Sequence, residues 1–138
     1  RISNAGMQVY FYEDFTETYK KFYRCKGSLN LIFEGINRGV FYPQFHGREH
    51  INVTSYMTAI NSNSIKEKFC FQNGAILGSN LDNDLHHSYF GALDYSATEE
   101  GEEIGIVIKD GLGLFESIFG FKSKSFVVPT NHQGKKVN

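Results

Sequence analysis

Apolar residues recur at helical spacing in five stretches of the chain. Phe15, Tyr19 and Phe22 are four and three apart, which predicts a helix over residues 14–23. Leu31, Ile32, Gly35 and Ile36 follow a second helical face. It starts at Gly27 and Ser28, with Ser28 as N-cap, and stops at Gly39. Val53, Met57 and Ile60 place a third helix that ends near residue 60. Ile65, Phe69 and Cys70 place a fourth over residues 62–73, punctuated by Gly74. The fifth is the most regular, with Ile104, Ile108, Gly111, Phe115 and Ile118 repeating every four and three residues. Ser96 and Glu99 fit a capping box at its start, and Gly120 lies at its end. Its glycines, Gly101, Gly105, Gly111 and Gly113, each lower helix propensity by up to about 1 kcal/mol, so packing against a sheet is expected to offset them.

Between these helices lie short β-rich runs at residues 7–11, 40–45, 88–93 and 125–128. Pro43 interrupts the second and Pro129 stops the last. Residues 75–77 are apolar without a clear period, Leu81-Asp82-Asn83-Asp84 reads as a polar turn, and residues 130–138 read as a polar, frayed tail. Buried-looking strands separated by helices predict an α/β fold with parallel βαβ units. Right-handed crossovers would then bring the strand ends to one face. Those ends carry His46, then Asp94 with Tyr95, then Pro129 with Thr130 and Asn131.

Composition narrows the function classes. Fourteen Lys and Arg against fifteen Asp and Glu give a net charge of −1, which argues against a general nucleic-acid binder. The 15% aromatic content argues against disorder, and 138 residues leave room for one domain, or part of a larger one, over residues 1–138. No apolar run reaches the roughly 20 residues that span a bilayer. Cys25 and Cys70 make no disulfide scaffold, and two thiols favour a reducing, cytoplasmic compartment. The start, Arg1-Ile2-Ser3, has neither an initiator Met nor a signal-peptide pattern, so a processed chain or a segment of a longer protein is expected.

The densest chemistry is His46-Gly47-Arg48-Glu49-His50. Two imidazoles four residues apart can meet on one ion, with zinc as the expected metal. Two histidines leave positions for a carboxylate or water; as ordinary surface histidines they would carry nothing. The same five residues fit H-x-x-E-H, where Glu49 would activate water, but that motif belongs inside a helix, which Pro43 and Gly47 argue against. Asp82, Asp84, His86 and His87 form a second polar cluster, better read as a solvated turn than as a cation site. Asn52-Val53-Thr54 matches a glycosylation sequon, but in a helix and without secretory context it is discounted. Tyr10, Tyr12, Phe41, Tyr42, Tyr89 and Tyr95 offer rings that stack on sugars or simply fill the core.

Residues 39–53, centred on His46, Arg48, Glu49 and His50, resemble bacterial polysaccharide deacetylase-like proteins. Residues 110–129, with Leu114-Phe115-Glu116, Phe119-Gly120-Phe121 and Ser125-Phe126, and residues 13–18 are similar to the same family. The resemblance implies an irregular (β/α) barrel of parallel strands, of which this chain would be an incomplete middle part. It implies one divalent metal held by an Asp and an H-x-x-x-H pair, here His46 and His50, and an acetylated polysaccharide as substrate. A second Asp as base and another His as acid are implied too. Gly47 stands where many members carry Ser or Thr, and no Asp-Asp pair occurs in this chain.

The expected function is therefore a segment of a metal-dependent polysaccharide deacetylase. His46 and His50 are the expected metal ligands, with Arg48 and Glu49 supporting them and Asp94, Tyr95 and Pro129 lining a substrate groove. The alternative from another class is a non-catalytic module that binds carbohydrate or serves assembly, and a zinc peptidase is third. A part of a barrel would expose sheet edges and apolar faces, so self-association is expected.

Overall fold

The computed structural model describes residues 13–22, 24, 27–62, 64–76, 89–95 and 98–129, with residues 98–100 described in backbone only. The described residues form five helices: α1 (Phe15–Lys21), α2 (Ser28–Asn37), α3 (Val53–Asn61), α4 (Ile65–Gln72) and α5 (Thr98–Phe119). Helix α1 packs on α2, and α3 packs on α4. The expected strand at residues 7–11, the polar turn at 81–84, Ser96 of the capping box and the tail 130–138 lie outside the described residues.

At the starts of α1 and α3 a side chain satisfies the first amides. Asp14 caps α1 by accepting from the Thr16 and Glu17 N–H groups. Asn52 caps α3 by accepting from the Ser55 N–H at 3.0 Å. Helix α2 begins one residue earlier than expected, with Gly27 rather than Ser28 as its N-cap, and it ends at a left-handed Gly39.

Two apolar centres hold these helices together. The first is a chain of rings. Phe119 of α5 meets Phe15 of α1 at 6.0 Å and Phe33 of α2 at 6.2 Å between ring centres. Phe115, one turn earlier, meets Phe45 edge-on at 6.4 Å, and Phe121 stacks on Tyr42 at 4.2 Å. The second centre is Tyr56 and Ile60 of α3 with Tyr89, their two tyrosine rings edge-to-face at 5.1 Å. Aromatic pairs of this geometry contribute about 0.5–1.5 kcal/mol each beyond area burial.

The expected (β/α) barrel is not formed, because the described residues contain no strand and no sheet. Residues 40–45 and 125–128 are extended and run parallel, but they meet in a single bridge, Phe45 with Phe126. Three features explain why a ladder does not propagate. Pro43 has no N–H to donate. The Gln44 side-chain oxygen accepts the Lys124 and Ser125 N–H groups at 2.8 Å each. The Ser123 hydroxyl accepts the Phe45 N–H at 2.7 Å. Side chains have taken the backbone groups a neighbouring strand would need. The third expected strand, seen here over residues 89–93, is a series of turns, with Ala92 N–H bonded to the Phe90 carbonyl and Asp94 N–H to that of Gly91.

Of the α5 glycines, Gly101 and Gly111 consequently face side chains rather than a sheet, and Gly105 and Gly113 face open space. A methyl group at Gly111 would lie within 2.9 Å of both the Phe45 ring and the Arg48 Cβ, so only glycine lets this segment sit so close. That contact sets the segment carrying His46 and His50 against the middle of α5.

Candidate metal centre

Phe45 is buried and His46 is exposed, the alternation of an extended chain. His46 Nδ1–H donates to the Val127 carbonyl at 2.8 Å. A carbonyl only accepts, so the proton sits on Nδ1 and the Nε2 lone pair accepts from His50 Nε2–H when no ion is bound. His50, also exposed, brings its Nε2 to 3.3 Å from His46 Nε2. Two nitrogens held at about 2.0–2.1 Å from one tetrahedral ion lie about 3.3–3.4 Å apart. The spacing and the fixed tautomer fit two imidazoles on one zinc-like ion.

The turn between the histidines is built around Gly47 and Arg48. Gly47 has φ +129°, and a Cβ there would meet Pro129 Cγ at 3.0 Å and the Glu49 carbonyl oxygen at 3.2 Å. A Ser or Thr, the residue implied by the resemblance, does not fit this turn. Arg48 points inward, its side chain 9% exposed. Its Nε donates to Glu49 Oε1 at 2.5 Å and its Nη1 to Asp110 Oδ2 of α5 at 2.5 Å. Both expected supporting residues therefore stand beside the pair, and Asp110 joins them. Asp110 was invisible to sequence reasoning, because nothing local to α5 marks it as a partner of residue 48.

Glu49 is occupied by Arg48, and helix α3 starts only at Val53. The arrangement an H-x-x-E-H peptidase needs, both histidines on one helix, is not present. Among the described residues no group of three or more His, Cys, Asp and Glu side chains could hold a metal ion. Asp82, Asp84, His86, His87, Thr130, Asn131 and His132 lie outside the described residues, as do Tyr10, Tyr12 and Cys25. Cys70 is a half-buried thiol on α4.

The three expected groove residues have other surroundings. Pro129 is buried against Gly47 and supports the turn from behind. The Asp94 carboxylate lies over Gly91, within its own turn, and the Tyr95 ring lies over Gly101 of α5.

Asn52 is a further functional residue of the fold. It is buried, donates its side-chain amide to the Asp94 carbonyl at 2.7 Å, and donates its N–H to the Tyr89 carbonyl at 2.6 Å. These bonds tie residues 89–94 to the start of α3, two residues past His50. The position of Asn52 before the first periodic residue of α3 is an N-cap signal that was readable in the sequence.

A second polar group lies in the Tyr56–Tyr89 centre. Glu67 of α4 is 2% exposed and accepts from the Ser64 hydroxyl and, at 3.0 Å, from the Tyr89 hydroxyl. Burial, with help from Glu67, pushes the Tyr89 phenol up to about 12. Burial also raises Tyr56, whose buried hydroxyl has no hydrogen-bond partner among the described residues.

Among the described residues no helix is long and apolar enough to cross a membrane. No family model matches the chain, and neither a curated protein nor a solved structure matches it significantly.

Proposed function

We propose that His46 and His50 hold one divalent metal, zinc by geometry, in a site that serves hydrolysis of acetyl groups on a polysaccharide. The observation that carries the metal is the 3.3 Å separation of the two Nε2 atoms with the His46 tautomer held by Val127. The hydrolytic part rests on the resemblance of residues 39–53 and 110–129 to deacetylase-like proteins. In its support, those two stretches pack on each other through Phe45 and Phe126, Gln44 and Ser125, and Arg48 and Asp110.

When bound, such an ion supplies a Lewis acid for an acetyl carbonyl and lowers the pKa of a coordinated water. The chain's own residues do the rest of what can be assigned. Val127 holds His46 in the ligating tautomer. Arg48 engages Glu49 and Asp110. Exposure of both imidazoles leaves the remaining coordination positions open to substrate or water.

The second reading is a non-catalytic metal-binding or carbohydrate-binding module. The engagement of Glu49 by Arg48 favours it, since the nearest carboxylate is then not poised as a base.

Elemental analysis of the wild type and of the His46→Ala, His50→Ala double variant tests the site. One equivalent of metal in the wild type, lost in the double variant, is the expected result. Acetate release from acetylated glycans then separates the two readings. Absence of metal from the wild type under zinc loading would overturn the metal site and leave the non-catalytic carbohydrate-binding module in front.

A further inference from the structure

The outer side of α5 carries one step beyond the proposed function, and that step does not depend on a metal. Helix α5 turns Gly111 and Phe115 inward, with Gly111 against Phe45 and Arg48. Its opposite side is exposed. Lys109, Leu112 and Glu116 follow one edge of that side, and Glu102, Ile106 and Gly113 follow the other. Apolar side chains stand in it without cover: Ile106 is 67% exposed and Leu112 41%. A Cβ at Gly113 would meet nothing within 4 Å. Lys109 and Glu116 are about 10 Å apart along the helix axis, too far to pair with each other. Neither forms an ion pair among the described residues.

We propose that this side of α5 docks against the same side of α5 in a second copy of the chain, antiparallel, about a two-fold axis between Leu112 and Gly113. What points to a second copy is that the surface is complementary in charge to itself. In a two-fold contact, a residue a given number of places before the axis meets the residue the same number after it. Lys109 and Glu116 lie equally far on either side. Each lysine therefore meets the second copy's glutamate, and the pair forms twice. The same register lays Leu112 on the second copy's Gly113, where the missing side chain leaves room. It brings Ile106 alongside Phe119, whose ring is half-buried, and Glu102 toward the end of the second copy's helix, where Lys122 follows. A parallel two-fold pairing would instead set lysine on lysine and glutamate on glutamate, which repel. Antiparallel helices also place opposite dipole ends side by side.

Sedimentation equilibrium of the full chain tests this. The wild type is expected to approach twice the chain mass as its concentration rises through the micromolar range. Lys109→Glu and Glu116→Lys, made singly, each turn both cross-copy pairs into like-charge contacts. Each is expected to raise the dimer dissociation constant about tenfold or more. The two substitutions together restore opposite charges across the axis and are expected to recover dimerisation, which a general loss of folding would not produce. Gly113→Leu has room in the single chain, so it should keep helicity while crowding the axis and removing the dimer. A wild type that stays monomeric at millimolar concentration would overturn the proposal. So would a dimer that keeps wild-type affinity in both single variants, since the contact then lies elsewhere, as on α4 with its exposed Ile65 and Phe69. Association that stays weak in the double variant would overturn the antiparallel pairing.

Discussion

His46 Nδ1 and the Val127 carbonyl, 81 positions apart in sequence, are hydrogen-bonded at 2.8 Å. This bond joins the end of one extended segment to its parallel neighbour just past the Phe45–Phe126 bridge. It ties residues 125–129 to the proposed metal site through the His46 ring.

Gly47 is the pivot of that junction. Its φ of +129° and the 3.0 Å approach of Pro129 to any Cβ leave no room for alanine. Gly47→Ala is expected to cost about 1–3 kcal/mol in urea denaturation. Zinc affinity measured by calorimetry should fall with it, because the 46–50 turn and residues 127–129 are displaced together. Wild-type stability would show that the turn relaxes freely.

The glycines of α5 are expected to divide by surroundings. Gly111→Ala inserts a methyl group against Phe45 and Arg48, and overpacking of this kind costs about 1–3 kcal/mol. Gly105 has open space around it. Gly105→Ala should instead stabilise by up to about 1 kcal/mol through helix propensity. Thermal melts of the two variants, moving in opposite directions, check this.

Asn52 serves as cap and as cross-link. Asn52→Ala removes the cap to Ser55 and strands the Asp94 carbonyl, for a combined loss of about 2–4 kcal/mol. Asn52→Asp keeps the capping oxygen but sets a carboxylate against that carbonyl, so it should recover little. Full recovery by Asn52→Asp in chemical denaturation would assign the whole effect to the cap.

Tyr89 makes stability fall at high pH. Its phenol ionises at about 12 in the folded chain, above the ordinary tyrosine value of about 10. Folding is fully supported below about pH 10. Between the two values the unfolded chain releases a proton that the folded chain keeps, so stability declines as pH rises. Tyr89→Phe removes its share of this dependence, with buried Tyr56 keeping a remainder, though it leaves buried Glu67 with one donor fewer. Denaturation midpoints across pH 9–12 in the two proteins check the slope.

The helices were legible because their signal is local. The repeat at Ile104, Ile108, Gly111, Phe115 and Ile118 lies within one helix, and the structure keeps all five on a half-buried or buried face. The proximity of His46 and His50 was legible for the same reason, being four residues apart. What the tertiary structure alone decided is which backbone groups the β-rich segments would spend on one another. A strand exists only if distant residues supply a matching ladder. Here Gln44 and Ser123 bind the very amides that ladder required, so the expected barrel gives way to a single bridge. Arg48 and Asp110 belong to the same class. They are 62 positions apart and meet only because Gly111 lets α5 come close enough. Spacing along the chain determines what one helix or one turn can do; long-range closeness depends on packing that no short stretch of sequence contains.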